Sequence, residues 1–131
     1  MASWKDKLED DIVLTGPGGR IIVNFRSYYE LLKWLITEYA GVTEPEADAC
    51  MERRFDYFDN FDLTVTRVTL ESHSWPYCDL AMGFYLIDHP EASAIKPSPD
   101  TQNGIKLYME IENRIMREHA LKDPFDYEGW E

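Results

Sequence analysis

The feature that most constrains the fold is the run Gly16-Pro17-Gly18-Gly19, which lies between two apolar segments. Glycine supplies the positive backbone angles of a tight turn, and proline cannot continue a central strand. Ile-Val-Leu precedes the turn and Ile-Ile-Val follows it within residues 11–25. The stretch therefore predicts a β-hairpin. The glycines lack the lysine and the spacing of a phosphate-binding loop, so that function is not indicated.

Two amphipathic helices are predicted after the hairpin. The first has Ser27 as its N-cap and ends at Gly41. The second opens with the capping box Thr43-Glu44-Pro45-Glu46, in which the threonine caps the helix and the proline lies in the first turn, and it ends near Asn60. The apolar face of the first helix comprises Tyr28, Leu31, Leu32, Leu35, Ile36 and Tyr39.

A strand pair and a last helix complete the predicted elements. Residues 62–72 are rich in β-branched side chains and alternate in polarity, which predicts a strand. Residues 79–88 are apolar at nearly every position and are interpreted as a central strand. Residues 105–121 fit a strand or a helix, and their length favours the helix. These elements predict an α+β domain with an N-terminal hairpin, two central helices, an antiparallel strand pair and a C-terminal helix.

The chain has 131 residues, a normal size for one domain. We assign residues 1–122 to a single α+β domain and residues 123–131, which mix acidic and aromatic side chains, to a C-terminal tail. No run approaches the roughly 18 apolar residues of a membrane helix, and the N-terminus does not resemble a secretory signal. The expected location is the cytoplasm. Two cysteines, Cys50 and Cys78, are too few for a disulfide scaffold, and we expect them to be buried and reduced.

The charge of the chain limits the class of partner. The sequence has 25 acidic and 13 basic residues, a formal net charge of −12. A nucleic-acid-binding protein needs the opposite sign, and an anionic membrane surface would repel this chain. If electrostatics steer the protein to a partner, that partner is a basic protein. The alternative is that the acidity serves only solubility.

Carboxylates recur every four residues along the second predicted helix. That spacing places them in one row, with neighbours about 6 Å apart at a rise of 1.5 Å per residue. Phosphates of a DNA strand repeat at a similar interval. Like charges at this spacing repel each other, and Arg53 is the one cation placed to offset a member of the row. With two acids beyond the helix, the candidate partner-binding residues are Glu44, Asp48, Glu52, Asp56, Asp59 and Asp62.

The same residues also fit a solvated helix face that leads into a strand, and this interpretation remains open. A calcium loop does not fit residues 53–65, because the aspartates are three apart and no glycine lies between them. The histidines His73, His89 and His119 show no helical pairing that would hold zinc. We therefore predict no metal site and no cofactor.

Three hypotheses for function follow. The first is a small acidic inhibitor, of the immunity-protein or nucleic-acid-mimic kind, that binds and occludes a basic, nucleic-acid-acting protein such as a toxin or nuclease. The second is a non-catalytic structural or assembly module, for example phage-encoded, with an interface at Trp75, Tyr77 and Trp130. The third is a small enzyme whose pocket joins His73 or His89 to buried acids. Because no catalytic motif is present, the chain is interpreted as a non-enzyme.

Overall fold

The computed structural model describes residues 8–16, 18–54, 56–57, 64, 68, 77–91 and 102–128. In these ranges, four helices and a three-stranded antiparallel sheet form an α+β fold, which confirms the predicted class. In chain order the elements are β1 (Ile12–Gly16), β2 (Gly19–Val23), α1 (Phe25–Ala40), α2 (Glu44–Arg53), α3 (Tyr77–Asp88), α4 (Gln102–Glu118) and β3 (Phe125–Glu128).

The sheet has the order β1-β2-β3, and its first two strands are the predicted hairpin. Strand β2 lies in the centre and buries Ile21 and Val23 completely. The apolar residues of β3 are two apart and pair with these positions, Phe125 with Val23 and Tyr127 with Ile21. The prediction of a tail at residues 123–131 is therefore wrong for the four residues of β3, because their alternation fits the open edge of β2.

Helix α1 is the centre of the domain and packs against each of the other three helices. The six residues predicted for its apolar face are all buried, from Tyr28 at its start to Tyr39 near its end. Gly41 ends the helix as predicted: it has a left-handed conformation with φ of 71°, and its N–H donates to Thr37 O at 3.0 Å.

The predicted N-cap of α1 is wrong. The helix begins at Phe25, with Asn24 at the N-cap position, and Ser27 is buried in the first turn. Ser27 donates twice to the carboxylate of Asp10, from its N–H at 2.9 Å and from its Oγ at 3.0 Å. A carboxylate from a distant segment therefore performs the capping function that the sequence pattern assigned to the serine itself.

The other N–H groups at the start of α1, which have no acceptor within the helix, also donate to distant segments. Phe25 and Arg26 donate to Glu9 O at 2.9 and 3.2 Å, and Asn24 donates to Pro124 O at 2.8 Å. We call these contacts, together with those of Asp10, the α1 clasp. The clasp fastens the segment before β1 and the segment before β3 to the same helix end.

Helix α2 has the predicted N-cap, since Thr43 Oγ1 accepts the N–H of Glu46 at 3.4 Å. It buries Ala47, Cys50 and Met51 against the core. Asn60, the predicted end of the helix, lies outside the described residues. In the described part the helix ends earlier, at Arg53, and residues 56–57 are helical again.

Residues 79–88 belong to α3, so the prediction of a central strand there is wrong. An apolar run without alternation indicates burial but does not define a period, and a length of 12 residues fits a helix better than a strand. The helical period is visible in Asp79, Gly83 and Ile87, which are exposed four residues apart. The predicted strand 62–72 lies mostly outside the described residues. Within it, Val68 is helical rather than extended, and its N–H donates to Thr64 O at 2.9 Å.

The helix predicted at residues 105–121 is confirmed as α4, which spans Gln102–Glu118 and buries Tyr108, Ile111 and Ile115. Both cysteines are free and buried, as expected. Burial raises the pKa of Cys50 to about 11, and nearby Asp88 adds to the rise. Burial also raises the pKa of Cys78 to about 11, with a contribution from the charge of Asp79.

The α1 clasp generates a prediction for stability. We expect Asp10→Ala to lower the free energy of unfolding by about 1–2 kcal/mol, because it removes a helix-capping carboxylate. Glu9→Ala is the matched control: only the backbone oxygen of Glu9 serves the clasp, so a change below about 0.5 kcal/mol is expected. Urea denaturation followed by circular dichroism measures both. Equal stability of the two variants would contradict the capping function of Asp10.

The two thiols generate a prediction for reactivity. A pKa near 11 instead of 9 leaves about 100-fold less thiolate at pH 8, so we expect Ellman's reagent to react at least that much more slowly with the folded protein than with the protein in denaturant. These folded-state pKa values lie above the unfolded value. The contribution of the thiols to stability is therefore complete below about pH 9 and is lost as the pH rises to about 11. Rapid native labelling of either cysteine at pH 8 would contradict this arrangement.

Candidate functional site

Four of the six predicted partner-binding residues lie in the described part of the chain. Glu44, Asp48 and Glu52 are on α2, and Asp56 is in the helical turn beyond it. Glu44, Glu52 and Asp56 are exposed, whereas Asp48 is half-buried. The other two, Asp59 and Asp62, lie outside the described residues. We call the four described residues the acidic row.

The acidic row turns slowly around α2. At about 100° per residue, a step of four residues turns the row by about 40°. The buried side of the helix carries Ala47, Cys50 and Met51. The row therefore starts at the flank of α2 that faces α1 and turns towards solvent as it approaches Asp56.

The first half of the row contacts α1. Lys33 Nζ donates to Glu44 Oε1 at 3.2 Å and lies 2.7 Å from Glu30 Oε2. The Tyr29 hydroxyl donates to Asp48 Oδ1 at 3.3 Å. Glu44 and Asp48 thus help to fix the orientation of α2 on α1, in addition to their charge at the surface.

The charges of these contacts are stable at neutral pH. Burial alone would lower the pKa of Lys33, but the hydrogen bonds and charges of Glu30 and Glu44 outweigh it and raise that pKa above its usual value. Burial raises the pKa of Tyr29 well above its usual value, and Asp48 raises it further. The lysine is therefore charged and the phenol neutral at neutral pH. Sequence reasoning missed Lys33; the one signal for it was a charged residue among the apolar residues of the α1 pattern.

The arginines at the end of α2 contact α3, which lies on the other side of α2 from α1. Arg53 Nε donates to Asp88 Oδ2 at 2.8 Å, and an Nη of Arg54 donates to Asp88 Oδ1 at 3.0 Å. Burial alone would raise the pKa of Asp88, but the two arginines outweigh it and lower that pKa. The sequence spacing would allow Arg53 to reach Asp56, whereas in the structure it donates to Asp88 at the end of α3. Both cations therefore lie on the α3 flank of α2, away from the α1 flank at which the row begins.

The structure gives less support to the predicted aromatic assembly interface. Tyr77, one of three aromatics predicted for an assembly interface, is buried and packs edge-on against Tyr28; Trp75 and Trp130 lie outside the described residues. Among the described residues, the most exposed large apolar side chains are Ile87 on α3 and Val13 on β1, which belong to separate elements. These observations do not define a common apolar interface.

The structure also gives little support to a site built on the histidines. His73 lies outside the described residues. His89 stacks on Tyr85 with ring centroids 4.4 Å apart, and Glu91, 4.0 Å away, is exposed rather than buried. Within the described ranges, no group of three histidine, cysteine or acidic residues is placed to hold a metal ion. In the same part of the chain, no helix is both long and apolar enough to cross a membrane.

The contact of Lys33 generates a testable prediction. We expect Lys33→Met to lower the free energy of unfolding by about 1–2 kcal/mol, because it leaves Glu30 and Glu44 close together without their shared cation. Lys106→Met, at an exposed position of α4, is the control and should change stability by less than about 0.5 kcal/mol. Chemical denaturation at pH 7 measures both variants. A Lys33→Met protein as stable as the control would show that this contact does not fix α2 on α1.

Comparison with protein-family models, with curated proteins and with solved structures finds no match for this chain.

Proposed function

We propose that this protein is a small acidic inhibitor of the immunity-protein kind, which acts in the cytoplasm. It binds a basic, nucleic-acid-acting protein and occludes the surface that this partner uses for nucleic acid. The observation that carries the proposal is the acidic row, which runs from the α1 flank of α2 to the exposed Asp56 in the turn beyond the helix.

The distribution of charge supports this assignment. Residues 44–88 contain ten acidic and three basic residues, which is more than half of the net charge of −12. Two of the three basic residues, Arg53 and Arg54, share a single carboxylate on α3. The acidic row belongs to this acidic part of the chain, and its charge would attract a basic surface.

The rigidity of α2 also supports the proposal. Thr43 caps the helix, Lys33 and Tyr29 fasten its α1 flank, and Asp88 fastens its α3 flank. A rigid row of carboxylates about 6 Å apart loses little conformational freedom when it docks. The same spacing approximates that of phosphates along a DNA strand, which suits the partner's nucleic-acid surface.

The mechanism is steric occlusion assisted by electrostatic steering. Long-range attraction raises the association rate, and contact then covers the partner's basic surface. Because the Debye length is only about 10 Å at 0.1 M salt, association is expected to slow markedly as salt increases. No catalytic step is required of the acidic residues.

Charge reversal of the acidic row tests the proposal. We expect the triple variant Asp48→Lys, Glu52→Lys, Asp56→Lys to lose more than about tenfold in partner affinity, because it removes three attractive charges and adds three repulsive ones. The measurement is affinity capture from source-cell lysate with the tagged wild-type protein, at low and then moderate salt, followed by mass spectrometry. The purified partner is then assayed for nucleic-acid binding or cleavage with and without the inhibitor.

The matched control reverses three exposed acids elsewhere: Glu91→Lys, Glu110→Lys, Asp126→Lys. This control makes the same change in net charge and should retain the partner. Circular dichroism checks that both triple variants fold, since Asp48 also accepts a hydrogen bond from Tyr29. Equal retention of the partner by both variants would reject the acidic row as the binding surface. A partner that resists moderate salt would favour an assembly module instead.

A further inference from the structure

Helix α4 ends in a tight turn that holds Ala120 in the left-handed region of backbone conformation, with φ of 52°. The Ala120 N–H donates to Arg117 O at 3.5 Å, and the Leu121 N–H donates to Met116 O at 2.8 Å. This is the Schellman pattern of helix ends, in which glycine usually occupies the left-handed position. Alanine has a Cβ atom that makes this conformation unfavourable. The connection from α4 to β3 is therefore strained at one exposed residue.

Ala120 separates two parts of the chain that are anchored to α1. Just before it, the His119 ring stacks on the Trp34 ring with centroids 4.0 Å apart, so α4 is held on α1 up to this residue. Just after it, the Lys122 N–H donates to Ser27 Oγ at 3.0 Å, at the start of the same helix. A change of backbone conformation at Ala120 alone can therefore redirect the segment that follows.

The C-terminal segment, residues 121–128, is received by a distant part of the chain. Asn24 Nδ2 donates to Asp123 O at 2.6 Å, β3 pairs with β2 over four residues, and Glu128 forms an ion pair with Arg20. Within the described ranges, the main contacts of β3 are with β2 rather than with α4, the helix that precedes it. The receiving surface can therefore accept the same segment from another copy of the chain.

We propose that the C-terminal segment exchanges between two copies of this chain, with Ala120 as the hinge. In the exchanged dimer, the segment of each copy pairs with β2 of the other, so the contacts described above form twice around a two-fold axis. Ala120 leaves the left-handed region in both copies, and a short hinge under strain favours such exchange. At low concentration the closed monomer prevails, because association costs translational and rotational freedom. The exchange does not depend on the proposed inhibitor function.

A disulfide between β2 and β3 tests the exchange. Arg20→Cys and Glu128→Cys change register partners on the two strands. Their disulfide joins one chain to itself in the closed monomer and joins two chains in the exchanged dimer. The full chain is refolded with reductant at low and at high concentration, separated by size-exclusion chromatography, oxidised with oxidised glutathione and run on a non-reducing denaturing gel. Cys50 and Cys78 are buried, so they react slowly. We expect covalent dimers from the high-concentration dimer fraction and covalent monomers from the dilute sample.

The matched control joins β2 to the other outer strand. Arg20→Cys with Thr15→Cys changes register partners within the hairpin, which stays on one chain in both forms. This pair should give covalent monomers even from the dimer fraction. The exchange would be overturned by the absence of a dimer at high concentration, or by a dimer fraction in which the β2–β3 pair links no chains. Equal linking of chains by the two pairs would overturn it as well.

Substitutions at Ala120 test the hinge. Ala120→Gly should weaken dimer association by at least about tenfold, because glycine removes the strain of the closed form at both hinges. Ala120→Val should strengthen association, because a β-branched side chain tolerates the left-handed region still less. Size-exclusion chromatography with light scattering measures both. An unchanged association constant for Ala120→Gly would overturn the assignment of the hinge. The disulfide test retains the native hinge, so it stands even where a hinge variant does not fold.

Discussion

The fold depends on how the first turn of α1 satisfies its backbone N–H groups. No residue of the helix itself can accept them, and α1 is too deeply buried for water to serve all of them. Glu9, Asp10 and Pro124 accept them instead. A local requirement of one helix thereby fixes two distant segments, and those segments lead into the outer strands β1 and β3. The positions of the central helix and of the sheet are therefore set by the same contacts.

The acidic surface follows from the position of α2 between two neighbours. On one flank, α1 offers Lys33 and Tyr29; on the other, α3 offers Asp88. The row itself could be predicted from a spacing of four residues, because helical period alone decides which side chains share a face. The neighbours of the row could not be predicted, since each contact joins residues far apart in the chain and depends on helix packing. Sequence reasoning therefore identified the carboxylates but missed the residues that orient them.

In the fold, too, elements set by neighbouring residues could be predicted, whereas elements set by contacts between distant segments could not. The hairpin, the apolar face of α1 and the Thr43 cap of α2 depend on short-range chemistry, and all three were predicted. Residues 79–88 were misassigned because a continuous apolar run reports burial without reporting period. Residues 125–128 were misassigned because a four-residue strand is stable only where another strand offers its edge. The start of α1 was misplaced because its cap comes from Asp10, outside the helix.

The pairing of β3 with β2 also has a consequence for the order of synthesis. The ribosome completes residues 20–23 about a hundred residues before their partners at 125–128. Until those partners emerge, β2 has one open edge and the start of α1 lacks an acceptor from Pro124. The hairpin and the helices can form early from local contacts, whereas closure of the sheet waits for the late segment. A nascent chain halted before residue 125 would therefore expose a strand edge, a state in which chaperone binding or aggregation competes with folding.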